Sequence, residues 1–396
     1  MSHSKGKKVF AGMSPIAKED LATGQAGGSR KKVFVGMSGG VDSSVSAALL
    51  KEQGYDVTGV FIKVWSPEFL PCDWKAERRD AMRVAAHLGI PFETLDLEEE
   101  YKREVADYMI EEYRRGRTPN PDVMCNRSIK FGGFLKYALE NGADFIATGH
   151  YCQIQKSKIK NQNDNSKSKT EEIYKLYEGV DKNKDQSYFL WTLTQDQLKH
   201  VLFPVGALTK PEVRKEAERF GLPTAAKKDS QGVCFLGPLD MHDFLAHYIE
   251  PKRGDVLNER GEIIGFHDGA FFLTLGKRHG FTITAKTPND APLYIVAKDI
   301  ERNTITVSSE RGGSDGEYAV HDIELESVSW TADRPHDGER LLCRFRYRQD
   351  AVSCEVLSHE HGLRVHFDEP QSAVSPGQSL VLYRGEECIG GGVIRK

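Results

Sequence analysis

The chain has 396 residues, enough for two or three domains that each bury a core. With 39% hydrophobic and 28% charged residues it has an ordinary globular make-up, and no run approaches the ~18 apolar residues of a membrane span, so no membrane partner is expected. A net charge of −4 excludes a globally basic nucleic-acid binder, so any RNA-binding surface must be a local patch.

Residues 1–30 are rich in Gly, Ser, Ala and Lys and read as a disordered N-terminal tail. KKVFAGMS at Lys7 to Ser14 nearly repeats KKVFVGMS at Lys31 to Ser38, but it continues as PIAKED and lacks the glycines that follow the second copy. Glu19, Asp20 and the scarcity of arginine argue against a mitochondrial presequence, so a mitochondrial address is kept only as the alternative to a cytoplasmic one.

Val33 to Met37 is apolar, long enough for a buried strand and too short for a helix. It runs into Ser38-Gly39-Gly40 and then into Val41-Asp42-Ser43-Ser44, residues suited to a helix cap and first turn. The unpaired N–H groups of such a turn, with the helix dipole behind them, form an anion site. The chain has no Gly-Lys-Ser or Gly-Lys-Thr of a Walker loop, and Gly36, Gly39 and Gly40 lack the G-x-G-x-x-G spacing. SGGVDS instead resembles the loop of the N-type ATP pyrophosphatases. That resemblance implies a loop holding the β,γ-pyrophosphate while a substrate oxygen attacks the α-phosphate.

Strands are expected at Asp56 to Trp65, Pro91 to Leu97 and Asp144 to His150, and helices at Lys75 to Leu88, Glu98 to Gly116 and Ser128 to Asn141. This alternation predicts an α/β, doubly wound parallel sheet over residues 31–205, with ligands beyond the carboxyl ends of the strands. Lys156 to Thr170 is a lysine-rich polar stretch expected to be a solvated hairpin tip, with an RNA-contacting loop as the sharper reading. Thr209-Lys210-Pro211-Glu212 is a capping box that opens a helix ending at Gly221. Residues 206–288 are expected to form a small central domain, and 289–396 a C-terminal β-barrel of short strands and turns. Within that barrel RFRYR at Arg344 to Arg348 alternates, which on a strand would put three arginines on one face.

The seven cysteines include no C-x-x-C pair, which argues against a disulfide scaffold, a zinc knuckle or an iron–sulfur cluster and fits a reducing cytoplasm. Two of them stand outside regular apolar stripes. Cys125 follows the rigid turn Thr118-Pro119-Asn120-Pro121-Asp122, next to a helix expected to begin near Asn126 to Ser128, where the thiolate would be favoured. Cys234 lies in the polar loop KKDSQGVCFLG beside Lys227 and Lys228.

GMSGGVDSSV, RTPNPDVMCNRSIKF, ATGHY, NKDQSYFL, LTKPEVR, KDSQGVCF and RYRQ occur in order, and over Lys31 to Lys396 the chain resembles the tRNA-specific 2-thiouridylases. The resemblance implies ATP-dependent 2-thiolation of the wobble uridine of tRNA. AMP marks the uracil oxygen, a cysteine persulfide supplies sulfur, and AMP and pyrophosphate are released. It makes Cys234 the persulfide carrier, Cys125 the nucleophile and partner in a transient disulfide with Cys234, and Asp122 a candidate proton shuttle. It assigns Gly36, Met37, Ser38, Gly39, Gly40, Val41, Asp42, Ser43, Ile62 and Gly149 to ATP, with magnesium expected on the phosphates. Asn120, Pro121 and Asp122 would meet the flipped-out base. His150, Lys184, Asp185, Gln186, Arg346, Tyr347 and Gln378 would contact tRNA of the Lys, Glu and Gln types. A cysteine desulfurase or sulfur-relay protein is the implied persulfide donor, and no protein-bound metal is implied.

Two stretches depart from the family pattern: Tyr151-Cys152-Gln153 where Tyr-Ala-Arg is usual, and Gly276 to Gly280 (GKRHG) where GQRKG is usual. The rival readings are a 2-thiocytidine enzyme or amidating synthetase on the same loop, and a non-catalytic tRNA- and ATP-binding protein. Synthetases need no paired cysteines, and cluster-dependent thiolation enzymes carry C-x-x-C.

Overall fold

A computed structural model describes residues 30–69, 74–160, 170–228, 240–284, 291–313, 316–359 and 362–395. Cys234 and the tip of the lysine-rich hairpin lie outside the described residues.

The first unit is the expected parallel sheet. Its strands are β1 (Lys32–Gly36), β2 (Asp56–Lys63), β3 (Phe92–Asp96), β4 (Phe145–Ala147) and β7 (Val201–Leu202), ordered β3-β2-β1-β4-β7 with every pairing parallel. Val33, Phe34 and Val35 are buried at its centre, as an uninterrupted apolar run requires in a sheet covered on both faces. The order reverses between β1 and β4, and at such a switch point two loops diverge and leave a crevice. SGGVDS follows β1 and Thr148-Gly149-His150 follows β4, so both loops border that crevice.

Helix α1 (Val41–Glu52) and α2 (Trp74–Leu88) sit where the pattern put them. Helix α3 is continuous through Glu98–Tyr101, Lys102–Asp107 and Tyr108–Arg114, its middle third wound as π-helix. Helix α4 likewise runs through Pro121–Met124, a π-helical Cys125–Gly133 and Phe134–Glu140. Here the sequence-based expectation fails. The helix starts at Pro121, not near residue 126, because Asn120 caps it through a bond from the Val123 N–H at 3.3 Å and proline fits the first turn. Cys125 therefore lies within the helix, at the residue where the wide winding begins.

Helix α5 (Lys210–Arg219) carries the predicted capping box, Thr209 with Glu212, and α6 (Met241–Ala246) follows. The central sheet contains β8 (Gly254–Leu257), β9 (Ile263–His267), β10 (Phe281–Ile283), β11 (Tyr294–Asp299) and β12 (Thr304–Ser308) in the order β10-β9-β8-β12-β11. An expected boundary at 288/289 falls inside this sheet, because β12 pairs in parallel with β8 across it.

The C-terminal unit closes on itself. Strands β13 (Val320–Trp330), β14 (Glu339–Arg344), β15 (Val352–His359), β16 (Gly362–Gln371), β17 (Ser379–Arg384) and β18 (Glu387–Ile394) form an antiparallel barrel in which β13 pairs with both β16 and β18. The hairpin of β5 (Cys152–Lys160) and β6 (Thr170–Glu178), although it arises within the first unit, joins this sheet through β6 and β18. Strand β14 ends at Arg344, and Arg348 has φ +62°, so the three arginines of RFRYR do not share a strand face. Among the described residues no helix is long and apolar enough to cross a membrane.

Candidate active site

The pyrophosphate loop is built from its own side chains. Ser43 Oγ and Ser44 Oγ donate to the Gly40 carbonyl at 3.2 and 2.7 Å, and the Ser38 N–H donates to Ser43 Oγ at 3.3 Å. Gly39 has φ +73°, and a Cβ there would come 2.4 Å from the Glu77 carbonyl, so only glycine fits the bend. Gly149 approaches from β4 so closely that a Cβ would lie 2.8 Å from the Ser43 nitrogen and 2.9 Å from the Asp42 carbonyl carbon. The predicted nucleotide residues Gly36 to Ser43 and Gly149 are thus gathered around the start of α1. Ile62 is half-buried on β2 and packs against both this core and the apolar cluster that contains Cys125.

Three side chains outside the expected nucleotide set reach this loop. Lys210 Nζ bonds both carboxylate oxygens of Asp42, at 2.7 and 2.9 Å, and the Tyr151 hydroxyl donates to Oδ1 at 2.7 Å. Lys227 Nζ donates to the Gly39 carbonyl at 3.0 Å and pairs with Asp80 at 2.7 Å. Lys227 opens KKDSQGVCF, so the segment leading to Cys234 is tied at its start to the pyrophosphate loop.

A second cleft, of about 380 Å³, is lined by Pro119, Pro121 and Asp122, by Leu275 and Lys277 of the central unit, and by Arg346, Ser375 and Gln378 of the barrel unit, among others. All three units meet there around Thr118. Its N–H donates to the Pro376 carbonyl at 2.8 Å, its hydroxyl lies 3.2 Å from that of Thr274, and its carbonyl accepts from Gln378 Nε2 at 2.8 Å. Asp122 and Cys125 stand three residues apart on α4, a spacing that puts side chains on one helix face. Burial raises the pKa of Asp122, against the opposing pull of Lys130, and so makes its carboxylate a better proton acceptor. Cys125 is buried among Tyr101, Met109, Tyr113 and Ile129. Ser375 Oγ is buried in this wall with no hydrogen-bond partner among the described residues.

The residues expected to touch tRNA divide into two groups. Arg346 and Gln378 line the cleft, and Tyr347 packs on Phe189 with ring centroids 4.6 Å apart and planes tilted by 50°. Lys184 is half-exposed, while the Gln186 side chain is turned to the Tyr151 N–H at 3.1 Å. His150 and Asp185 instead belong to the interior, which corrects their reading as RNA contacts. His150 takes part in a 2.7 Å bond with Thr148 and packs on Phe131 and Phe203, and burial lowers its pKa well below the usual value. Asp185 accepts from the N–H groups of Gly179 and Ser187 at 3.0 and 3.2 Å and faces Arg344 at 3.7 Å. It is a framework carboxylate. Among the described residues no cluster of His, Cys, Asp and Glu could hold a metal ion.

The comparisons agree with this three-unit layout. A family model described as a tRNA methyl transferase HUP domain matches residues 31–238, a PRC-barrel model 242–309, and an aminomethyltransferase β-barrel model 320–394. The tRNA-specific 2-thiouridylase MnmA of Enterococcus faecalis is 45% identical over 378 residues, covering 93% of this chain and 96% of that protein. The chain belongs to the tRNA-specific 2-thiouridylase family. Family proteins of the same description from Lacticaseibacillus paracasei (44% identity, 92% of this chain and 94% of that protein) and Flavobacterium johnsoniae (42% identity, 92% and 100%) share its length. The family's motifs fall on the loop at the sheet's switch point and on the helix that lines the three-unit cleft.

Proposed function

We propose that the chain is an ATP-dependent tRNA-uridine 2-sulfurtransferase acting on the wobble uridine. The observation that carries this reading is the placement of Asp122 and Cys125 on one helix whose cleft is walled by all three units, with the pyrophosphate loop on the same sheet. A cleft of that kind takes a flipped-out base and leaves the rest of the tRNA to the surrounding surface.

The uracil O2 attacks the α-phosphorus of ATP, and pyrophosphate leaves from the loop after Gly36. Asp122, with its raised pKa, accepts the N3 proton as O2 becomes nucleophilic. The terminal sulfur of a Cys234 persulfide then bonds C2, and AMP departs with the old oxygen. The Cys125 thiolate attacks the Cys234 sulfur, which breaks the S–S bond, frees the thiocarbonyl as N3 recovers its proton from Asp122, and leaves a Cys125–Cys234 disulfide for external thiols to reduce. Magnesium enters with the ATP phosphates. The persulfide donor is a cysteine desulfurase or relay protein, the tRNAs are of the Lys, Glu and Gln types, and the compartment is the cytoplasm.

The test is nucleoside mass spectrometry of tRNA incubated with the protein, ATP and a persulfide donor. Wild type should form 2-thiouridine, whereas Cys125→Ala and Cys234→Ala should each form none and still release pyrophosphate. A double-cysteine variant that still thiolated tRNA would sink the mechanism.

A further inference from the structure

A Walker loop brings its own lysine to the phosphates; SGGVDS has none and instead carries an acid, Asp42, in the first turn of α1. A carboxylate there sits where the helix dipole and free N–H groups would favour a phosphate, and it repels one. The structure compensates from elsewhere. Lys210, the first residue of α5, places its ammonium on both Asp42 oxygens, and Tyr151 holds one of them from the β4 side. The lysine is held in place: its side chain is 13% exposed, its own N–H donates to Asp181 at 2.9 Å, and the Thr209–Glu212 capping box fixes the helix start.

We propose that Lys210 is a positioning residue of the ATP site. It neutralises and orients Asp42, so that the loop accepts the polyphosphate, and α5 thereby supplies the positive charge that the loop itself lacks. This rests on reading the loop as the ATP site.

The test uses the full chain and the variants Lys210→Met, Lys210→Arg, Asp42→Asn and the Lys210→Met/Asp42→Asn double. Magnesium–ATP binding is measured by calorimetry, tRNA binding by filter retention, and fold by thermal denaturation. Lys210→Met should weaken ATP binding about tenfold or more, the effect of losing one charge-assisted pair, and leave tRNA affinity within about twofold. Lys210→Arg should recover most of the loss. The double variant should bind ATP more tightly than Lys210→Met alone, because the uncompensated carboxylate is gone. The proposal is overturned by Lys210→Met binding ATP as wild type does. It is equally overturned by matched losses of ATP and tRNA affinity that arginine does not recover, which would make Lys210 an anchor for α5 and nothing more. A wild-type protein that binds ATP but thiolates no tRNA would instead defeat the assigned reaction, and the ATP affinities would still judge Lys210.

Discussion

Gly149→Ala is the sharpest probe of how the two loops at the switch point work together. The added Cβ would lie 2.8 Å from the Ser43 nitrogen, against 3.4 Å for ordinary contact, so 3.4 − 2.8 leaves 0.6 Å to be absorbed by backbone. No flexible side chain can yield there: the nearest atoms are the Ser43 nitrogen, the Asp42 carbonyl carbon and the Asp42 Cβ. Overpacking of this kind costs about 1–3 kcal/mol of stability, and a catalytic displacement near 1 Å costs about a hundredfold in rate, so a shift of half that size predicts roughly tenfold. The assay is tRNA-dependent pyrophosphate release over an ATP titration, with thermal denaturation in parallel. Gly36→Ala is the internal contrast, since its Cβ would come no nearer than 3.4 Å to a Phe134 ring carbon. If Gly149→Ala kept both kcat and the KM for ATP, the close approach of the β4 loop would have no part in shaping the site.

Two further outcomes follow from the charges. Burial raises the Asp122 pKa, so the native state holds its proton more tightly than the unfolded chain; this side chain is neutral in its effect on stability below the usual carboxylate range and costs stability as pH rises through the raised value. Asp122→Asn should therefore gain thermal stability relative to wild type as pH rises from acid to neutral while losing thiolation; an advantage that shrank with pH would contradict the burial argument. Arg344→Met removes the guanidinium from the buried carboxylates of Glu178 and Asp185, which keep Lys182 and the Gly179 and Ser187 N–H groups respectively, and should cost about 2 kcal/mol, the range for a lost hydrogen bond to a charged group, as read from chemical unfolding, with Lys partly restoring it.

The parallel sheet was legible because apolar runs such as Val33 to Met37 and strand–helix alternation report burial directly. The loop was legible from its glycines and small polar residues. The start of α4 was misread because Asn120-Pro121 serves equally as a turn and as a cap with proline at the first helical position, and only the Val123 bond decides. His150 and Asp185 were polar residues whose burial no local pattern announces: their partners Phe203 and Arg344 lie far off in the chain. The same holds for Lys210. Its capping box marked a helix start, and nothing near it in sequence pointed to Asp42. Likewise, β11 and β12 look like any short strands until the parallel pairing with β8 assigns them to the central sheet.

The β5–β6 hairpin has a consequence for how the protein avoids its own kind. Strand β5 is the edge of the barrel unit's sheet, with one side unclaimed by any strand among the described residues. Along one face it begins with Cys152 and Ile154, both buried, and continues with Lys156 and Lys158. A strand from another molecule that tried to extend the sheet would have to lie beside Lys158 and beside Lys156, which pairs with Glu172 at 3.0 Å, and edge lysines are one way natural sheets discourage stacking. These two lysines are expected to work against edge-to-edge pairing between copies of the chain.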